Sequence, residues 1–280
     1  MKDRPEEIKL AGVVGFPVAH SKSPAMHRYW LDKYNVKGDY MPLSVQPDDL
    51  KQVFEALPKM GFKGVNITIP HKVDILSCVD MIEDSARKAG AANLVVFRDG
   101  GSIAKNTDGF GFLENLTNLK PDINLEFQTG VILGTGGAAR GVLSALIDEN
   151  IGRIKLVYRN REAAESLASL FGKSVEIFHW DSRSDILDDA DILINATPLG
   201  MVNQESLDIS LDGLQKSALV YDLVYNPLHT PLLKQASSRG FLIADGLGML
   251  IHQARPAFND WFGFMPEATQ ELRKLMEQGL

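Results

Sequence analysis

Gly134-Thr135-Gly136-Gly137-Ala138-Ala139 stands between an apolar run, 130–133, and a segment, 140–149, whose Val142, Leu143, Leu146 and Ile147 share one helical face. A strand that passes through glycines into a helix is the opening turn of a doubly wound α/β sheet. Gly134 serves the sharp reversal, Gly136 the close approach of a pyrophosphate, and a small residue at Ala139 lets the helix pack on the sheet. The helix start then offers N–H groups and positive dipole charge to phosphates. Gly134, Thr135, Gly136, Gly137 and Ala138 are therefore candidate cofactor contacts. The competing reading, a tight glycine turn with no ligand, is weakened by the strand, turn, helix and strand around it.

The next strand ends Tyr158-Arg159-Asn160-Arg161. Sites for NAD place an acid about 20 positions past the glycines to hold the ribose 2′-hydroxyl. No acid precedes Glu162 here, and two arginines stand where a 2′-phosphate would lie. A guanidinium fork suits phosphate oxygens, so Tyr158, Arg159, Asn160 and Arg161 point to NADP. Arg159 and Arg161 as mere solvated turn residues is the alternative, and it fits Arg161 better than Arg159.

Short β-rich runs alternate with helical patterns from Ile8 to about Ile103: 8–15, 40–45, 65–69 and 94–97 read as strands, with helices at 24–34 and 50–57. Ser23-Pro24 and Pro47-Asp48-Asp49 are helix start signals. A second series has strands at 130–133, 154–158, 192–195, 219–223 and 241–244, and the tail reads as helices 249–262 and 266–278. Such alternation predicts βαβ units. The aperiodic stretch 117–129 reads as a connection, with a domain boundary just before it, near a helix starting at Asp108.

The chain has 280 residues, of which 45% are hydrophobic and 23% charged, which excludes disorder, collagen and coiled coil. Its length predicts two domains. A net charge of −7 argues against nucleic acid or an anionic membrane as partner. The single cysteine, Cys78, forms no intrachain disulfide and reads as a buried structural thiol on a helix. No apolar run spans a bilayer, residues 1–7 are charged, and a cytoplasmic protein is expected. The six histidines are scattered, so no metal site is expected.

Polar residues crowd three strand ends in the first half: His20-Ser21-Lys22-Ser23, Asn66 to Lys72, and Asn106-Thr107-Asp108. The carboxyl ends of strands are where open α/β sheets bind ligands. Ser21 and Ser23 precede a helix and suit an anion such as a carboxylate, although for Ser23 alone helix capping is the favoured explanation. Lys72 beside a cleft is a candidate proton-transfer group, although from the residues alone a solvated lysine at a helix start is the favoured reading. Asp108 either orients Lys72 or caps a helix from Gly109.

Taken together, 15–24 (Gly-Phe-Pro-Val-Ala-His-Ser-Lys-Ser-Pro), 66–72 (Asn-Ile-Thr-Ile-Pro-His-Lys), 106–109 (Asn-Thr-Asp-Gly) and the glycine turn resemble the shikimate dehydrogenase family. Asn195-Ala196-Thr197-Pro198-Leu199-Gly200-Met201, Asp222 to Pro227 and Asp245 to Leu250 extend the likeness from about Ala11 to Ala254. The resemblance implies reversible NADP-dependent reduction of 3-dehydroshikimate to shikimate, a step toward chorismate and the aromatic amino acids. It implies Ser21 and Ser23 at the substrate carboxylate, and Thr68, Asn93, Asp108 and Gln253 at ring hydroxyls. Tyr225 falls at the substrate site, Lys72 is the proton-transfer residue paired with Asp108, and Asn195, Thr197, Leu223 and Gly246 line the nicotinamide pocket. It further implies an α/β substrate-binding domain, 1–109 plus 247–280, and a Rossmann-type doubly wound NADP-binding domain, 110–246, with a cleft between them, as a monomer or homodimer. Two departures stand out: Leu94 follows Asn93 where the family commonly has threonine, and the second arginine after Arg159 is displaced to Arg161. A quinate/shikimate dehydrogenase using NAD and a catalytically silent NADP-binding sensor are the competing readings.

Overall fold

Two mixed strand-and-helix units make up the chain in the computed structural model, which describes residues 8–99, 101–278 and 280. The charged stretch 1–7 lies outside the described residues. One unit comprises Met1–Thr107 and Gln253–Met276, the other Asp108–His252 and Glu277–Leu280.

The first unit runs β1 (Lys9–Gly15), α1 (Ser23–Lys33), β2 (Gly38–Ser44), α2 (Leu50–Ala56), β3 (Phe62–Ile67), β4 (Met81–Ile82), α3 (Asp84–Ala89), β5 (Leu94–Arg98) and β6 (Gly101–Lys105). Its sheet has the order β2-β1-β3-β5-β6-β4. Strands β2, β1 and β3 are parallel, as the βαβ pattern predicts, but β5 runs antiparallel to both β3 and β6. That reversal brings the carboxyl ends of β1, β3 and β6 and the amino end of β5 to one edge. Cys78 departs from expectation: it follows a short 3-10 turn, Asp74–Ser77, instead of lying on an α-helix, and it is half-buried.

The second unit runs α4 (Asp108–Leu119), β7 (Thr129–Leu133), α5 (Gly137–Asp148), β8 (Arg153–Tyr158), α6 (Arg161–Ser169), β9 (Val175–His179), β10 (Ile192–Asn195), β11 (Leu219–Asp222), α7 (Pro231–Ser238) and β12 (Leu242–Ala244). All its neighbouring strands are parallel, in the order β12-β11-β10-β7-β8-β9. That order is the Rossmann-type doubly wound sheet, whose direction of winding reverses at β7. Strand β9 is absent from the sequence reading, because Val175-Glu176-Ile177-Phe178-His179 is short and carries two polar residues. Gly109 lets α4 approach α5 closely: a Cβ there would lie 2.6 Å from Ala145 Cβ and 2.7 Å from the Gly141 carbonyl oxygen.

Helix α8 (Gly246–Phe262) begins three residues earlier than its periodicity suggests and is followed by α9 (Gln270–Glu277). The Asp245 carboxylate explains the early start, accepting from the N–H groups of Leu247 and Gly248 at 3.0 and 3.3 Å. In the first unit, the α8 residue Trp261 donates its indole N–H to the Val95 carbonyl at 3.2 Å. Gly64 makes room for that ring, since any Cβ would collide with it at 2.1 Å.

Candidate active site

Helix α1 opens on Ser23, not after it. Lys22 occupies the cap position without a side-chain bond, and the Ser23 N–H reaches the Ser21 Oγ at 3.3 Å. The capping role weighed for Ser23 is therefore not its role. Its hydroxyl is buried and hydrogen-bonds the Tyr40 phenol on β2.

From Tyr40 a buried polar chain continues across the first unit. The phenol donates to Asn66 Oδ1 at 2.8 Å, and Asn66 Nδ2 donates to the Asn93 carbonyl at 2.9 Å. Asn93 Nδ2 reaches Thr107 Oγ1 at 2.9 Å and Gln253 Oε1 at 3.0 Å, while its Oδ1 accepts the Thr107 N–H at 2.7 Å. Thr107 Oγ1 also donates to the Gln253 carbonyl at 2.8 Å. The direction of the chain is fixed by the Asn93 carbonyl, which can only accept. Asn66 must present Nδ2 to it and Oδ1 to Tyr40, so Tyr40 donates to Asn66 and Ser23 donates to Tyr40. Burial holds the Tyr40 hydroxyl well above its ordinary pKa, so it keeps its proton.

Thr68 and Lys72 lie just beyond β3. The Thr68 N–H bonds the Val14 carbonyl at 2.9 Å, and the Ala92 N–H bonds the Lys72 carbonyl at 2.7 Å, which seats the Lys72 backbone beside the Asn93 segment. The buried His71 ring is engaged elsewhere in the unit, with Nε2 2.8 Å from the Val45 carbonyl oxygen. Ser21, Ser23, Thr68, Lys72, Asn93 and Gln253 are thus all described within one unit. Asp108, buried, is the first residue of α4, and Tyr225, half-buried, follows β11; both belong to the second unit.

In the second unit, Gly134 has φ +104°, a left-handed conformation that favours glycine. A Cβ at Gly136 would meet nothing within 4 Å, so open space lies before the turn. Helix α5 has no side-chain cap, and its first intrahelical bond comes from the Arg140 N–H, which leaves the N–H groups of Gly137, Ala138 and Ala139 ahead of the helical ladder. Ala139 is fully buried against the sheet, as its small size predicts.

The residues after β8 divide by what they already bind. Asn160 caps α6, its Oδ1 accepting the Ala163 N–H at 3.0 Å, and Arg161 pairs with Glu165 at 2.7 Å. Arg159 is exposed and stacks on Trp180, its Cζ 4.4 Å from the ring centroid. Tyr158 meets His179 edge-on at 5.7 Å. At the end of β10, Asn195 is fully committed within the protein: Nδ2 donates to the Leu199 carbonyl and Asp222 Oδ1, and Oδ1 accepts from the Thr197 N–H and hydroxyl. Its side chain shapes the loop that presents Thr197. Asp222 also accepts from the Val224 N–H and the Thr230 hydroxyl, and burial pushes its pKa up to about 6 against those bonds. Gly246 approaches the Leu223 carbonyl so closely that no Cβ fits.

Uncapped N–H groups, open space before Gly136 and a guanidinium at Arg159 without an ion pair among the described residues fit a dinucleotide with a further phosphate on its ribose. The sequence reading missed Tyr40, Asn66, Thr107 and Trp180. Tyr40 and Trp180 gave no signal beyond an aromatic residue near a strand, whereas Asn66 and Thr107 lay inside the polar clusters but were not singled out. Among the described residues no group of His, Cys, Asp and Glu could hold a metal, and no helix is long and apolar enough to cross a membrane.

A family model described as shikimate dehydrogenase substrate binding domain matches residues 13–95, and one described as shikimate / quinate 5-dehydrogenase matches residues 117–225. A shikimate dehydrogenase (NADP(+)) of Dinoroseobacter shibae is 50% identical over 95% of this chain and 96% of its own length. The chain belongs to the shikimate dehydrogenase family. Among solved members, the enzyme from Aquifex aeolicus is 33% identical with a TM-score of 0.86, covering 97% of this chain and 98% of the other. The Thermus thermophilus shikimate 5-dehydrogenase, solved in complex with NADP(H) and shikimate, is 31% identical with a TM-score of 0.86 over 98% and 100% of the two chains. The shikimate dehydrogenase likeness therefore extends across both units.

Proposed function

We infer that this protein is an NADP-dependent shikimate dehydrogenase, an oxidoreductase that reversibly reduces the ketone of 3-dehydroshikimate to the secondary alcohol of shikimate. Similarity to curated shikimate dehydrogenases (NADP(+)) over 95% of the chain is the observation that carries this reading.

In the reading we adopt, the first unit holds the substrate and the second the cofactor. NADPH, when bound, supplies the hydride. Lys72 delivers a proton to the carbonyl oxygen as the alcohol forms and takes it back in the reverse direction, with Asp108 as its partner group. Ser21 and Ser23 receive the carboxylate, and Thr68, Asn93, Gln253 and Tyr225 receive the ring and its hydroxyls. Gly134, Thr135, Gly136, Gly137 and Ala138 cradle the pyrophosphate and Arg159 receives the 2′-phosphate, while Thr197, Leu223 and Gly246 shape the nicotinamide side. Ketone and hydride alone would leave an alkoxide, so a positioned proton donor is what the chemistry requires of the protein. We extend the proposal to a monomer or homodimer acting in the cytoplasm on a soluble carboxylate.

Steady-state rates with shikimate and quinate against NADP⁺ and NAD⁺ test the reading. The highest kcat/KM is expected for shikimate with NADP⁺. A maximum for quinate with NAD⁺ would transfer the protein to the quinate branch, and tight NADP⁺ binding without turnover would make it a sensor.

A further inference from the structure

Three guanidinium groups stand near the carboxyl ends of β8 and β9; Arg159 and Arg183 both lie over Trp180, with Cζ 4.4 and 5.2 Å from the ring centroid, and the three differ in how their N–H donors are engaged. Arg161 lies 2.7 Å from the Glu165 carboxylate on the same helix. Arg183 donates to the Asp208 and Trp180 carbonyls at 2.6 and 3.1 Å and reaches the Asp208 carboxylate at 3.3 Å. Arg159 has neither an ion pair nor a hydrogen bond among the described residues, and its contact is the face of Trp180 at 4.4 Å. Trp180 is half-buried and packs against the buried cluster formed by Val157, Leu187 and Leu193, so the indole is an anchored surface under an otherwise exposed, flexible side chain.

Stacking uses the flat face of a guanidinium and leaves its N–H donors, which lie in the plane of the group, directed outward. An arginine held this way meets an anion with little further ordering, which is how preorganisation raises affinity. We propose that Trp180 is a positioning residue for cofactor selection: by holding Arg159 on its indole face it aims the guanidinium at the 2′-phosphate and sets the preference for NADP over NAD. Arg161 and Arg183 contribute less, because their donors already serve carboxylates and carbonyls. The proposal rests on the assignment of Arg159 to the 2′-phosphate.

Trp180→Leu keeps apolar packing and removes the π face; Trp180→Phe keeps a weaker face. With saturating shikimate, kcat/KM for NADP⁺ is expected to fall about 2- to 30-fold in Trp180→Leu, and less in Trp180→Phe, with NAD⁺ unaffected. Calorimetric titration with adenosine 2′,5′-bisphosphate should lose affinity in parallel, while adenosine 5′-phosphate should not. Arg159→Leu should lose at least as much, and adding Trp180→Leu to it should cost nothing more. Equal losses for both cofactors, no loss at all, or additive losses in the double variant would overturn the role of Trp180. An Arg159→Leu variant that retains the wild-type NADP⁺ to NAD⁺ ratio would instead defeat the phosphate assignment on which the proposal stands.

Discussion

Asn93 donates its side-chain N–H to Gln253 Oε1 at 3.0 Å, joining positions 160 residues apart within one unit. Both side chains are at least nine-tenths buried, and Thr107 ties them again by bonding the Asn93 amide and the Gln253 carbonyl. Asn93→Ala removes a donor and an acceptor that bond Thr107 and Gln253. Each buried group left without a partner costs about 1–3 kcal/mol, so a fall in denaturation midpoint with little change in slope is expected in urea titration. KM for shikimate should rise in the folded fraction, and an unchanged KM would separate Asn93 from the substrate.

Lys72→Ala tests the proton-transfer assignment. Positioned acid–base groups contribute roughly 10²–10⁴ in rate, so kcat should drop by about that factor while KM for shikimate stays near wild type. A loss confined to KM would reduce Lys72 to a binding residue.

Tyr40→Phe gives an outcome with two opposed parts. The Asn66 oxygen loses its donor, and stability should fall by about 1–3 kcal/mol. Ser23, however, no longer has Tyr40 competing for its proton and can donate it to a carboxylate. KM for shikimate is expected to fall about 2- to 13-fold, the equivalent of one ordinary hydrogen bond. A rise in KM would mean that Tyr40 serves to hold the serine in place.

His27 supplies a pH test. It is fully buried, stacks flat on Tyr40 at 4.1 Å, and has no hydrogen-bond partner for either ring nitrogen among the described residues. Burial lowers its pKa from 6.5 to about 3. Its folded pKa is depressed below the unfolded value, so between about 3 and 6.5 the unfolded chain binds the extra proton and stability falls as pH falls. The loss reaches about 2 kcal/mol at pH 5. His27→Phe keeps the stack and should flatten thermal stability between pH 7 and pH 5; an unaltered slope would mean that other groups control it.

Gly134→Ala probes the phosphate turn. At φ +104°, with Thr197 Cγ2 3.0 Å from the new methyl, strain of about 1–3 kcal/mol is expected. Thermal melting should register it, and KM for NADP⁺ should rise with KM for shikimate unchanged. Equal rises in both would point to general disruption.

The second unit was the more legible in the sequence because its glycine turn fixes the geometry on both sides: β7, α5 and β8 fall where the apolar runs and the turn chemistry place them. The first unit was legible in its parallel β1, β2 and β3, but not in the reversal at β5, since an antiparallel neighbour leaves no periodicity of its own. That reversal carries Asn93 to the edge shared with the ends of β1 and β3. The capping reading of Ser23 failed for a related reason. A serine before a helix reads as a cap, and only the packing of β2 beside β1 reveals Tyr40 as its acceptor. Arg161 is already the weaker phosphate candidate in sequence, and its pairing with Glu165, one helical turn on, is what separates it from Arg159 in the structure.

Helix α8 gives the protein an unusual order of assembly. The first unit needs the segment after Gln253, because Trp261 bonds Val95 and fills the space above Gly64. During vectorial synthesis residues 8–107 emerge before 108–252, yet the part of their sheet around Gly64 and Val95 is covered only once Trp261 has followed. The first unit is therefore completed only after residues 108–252 of the second have been made. A stop codon placed just before Gln253 should release a second unit with its six strands intact, attached to a first unit that has lost its indole lid.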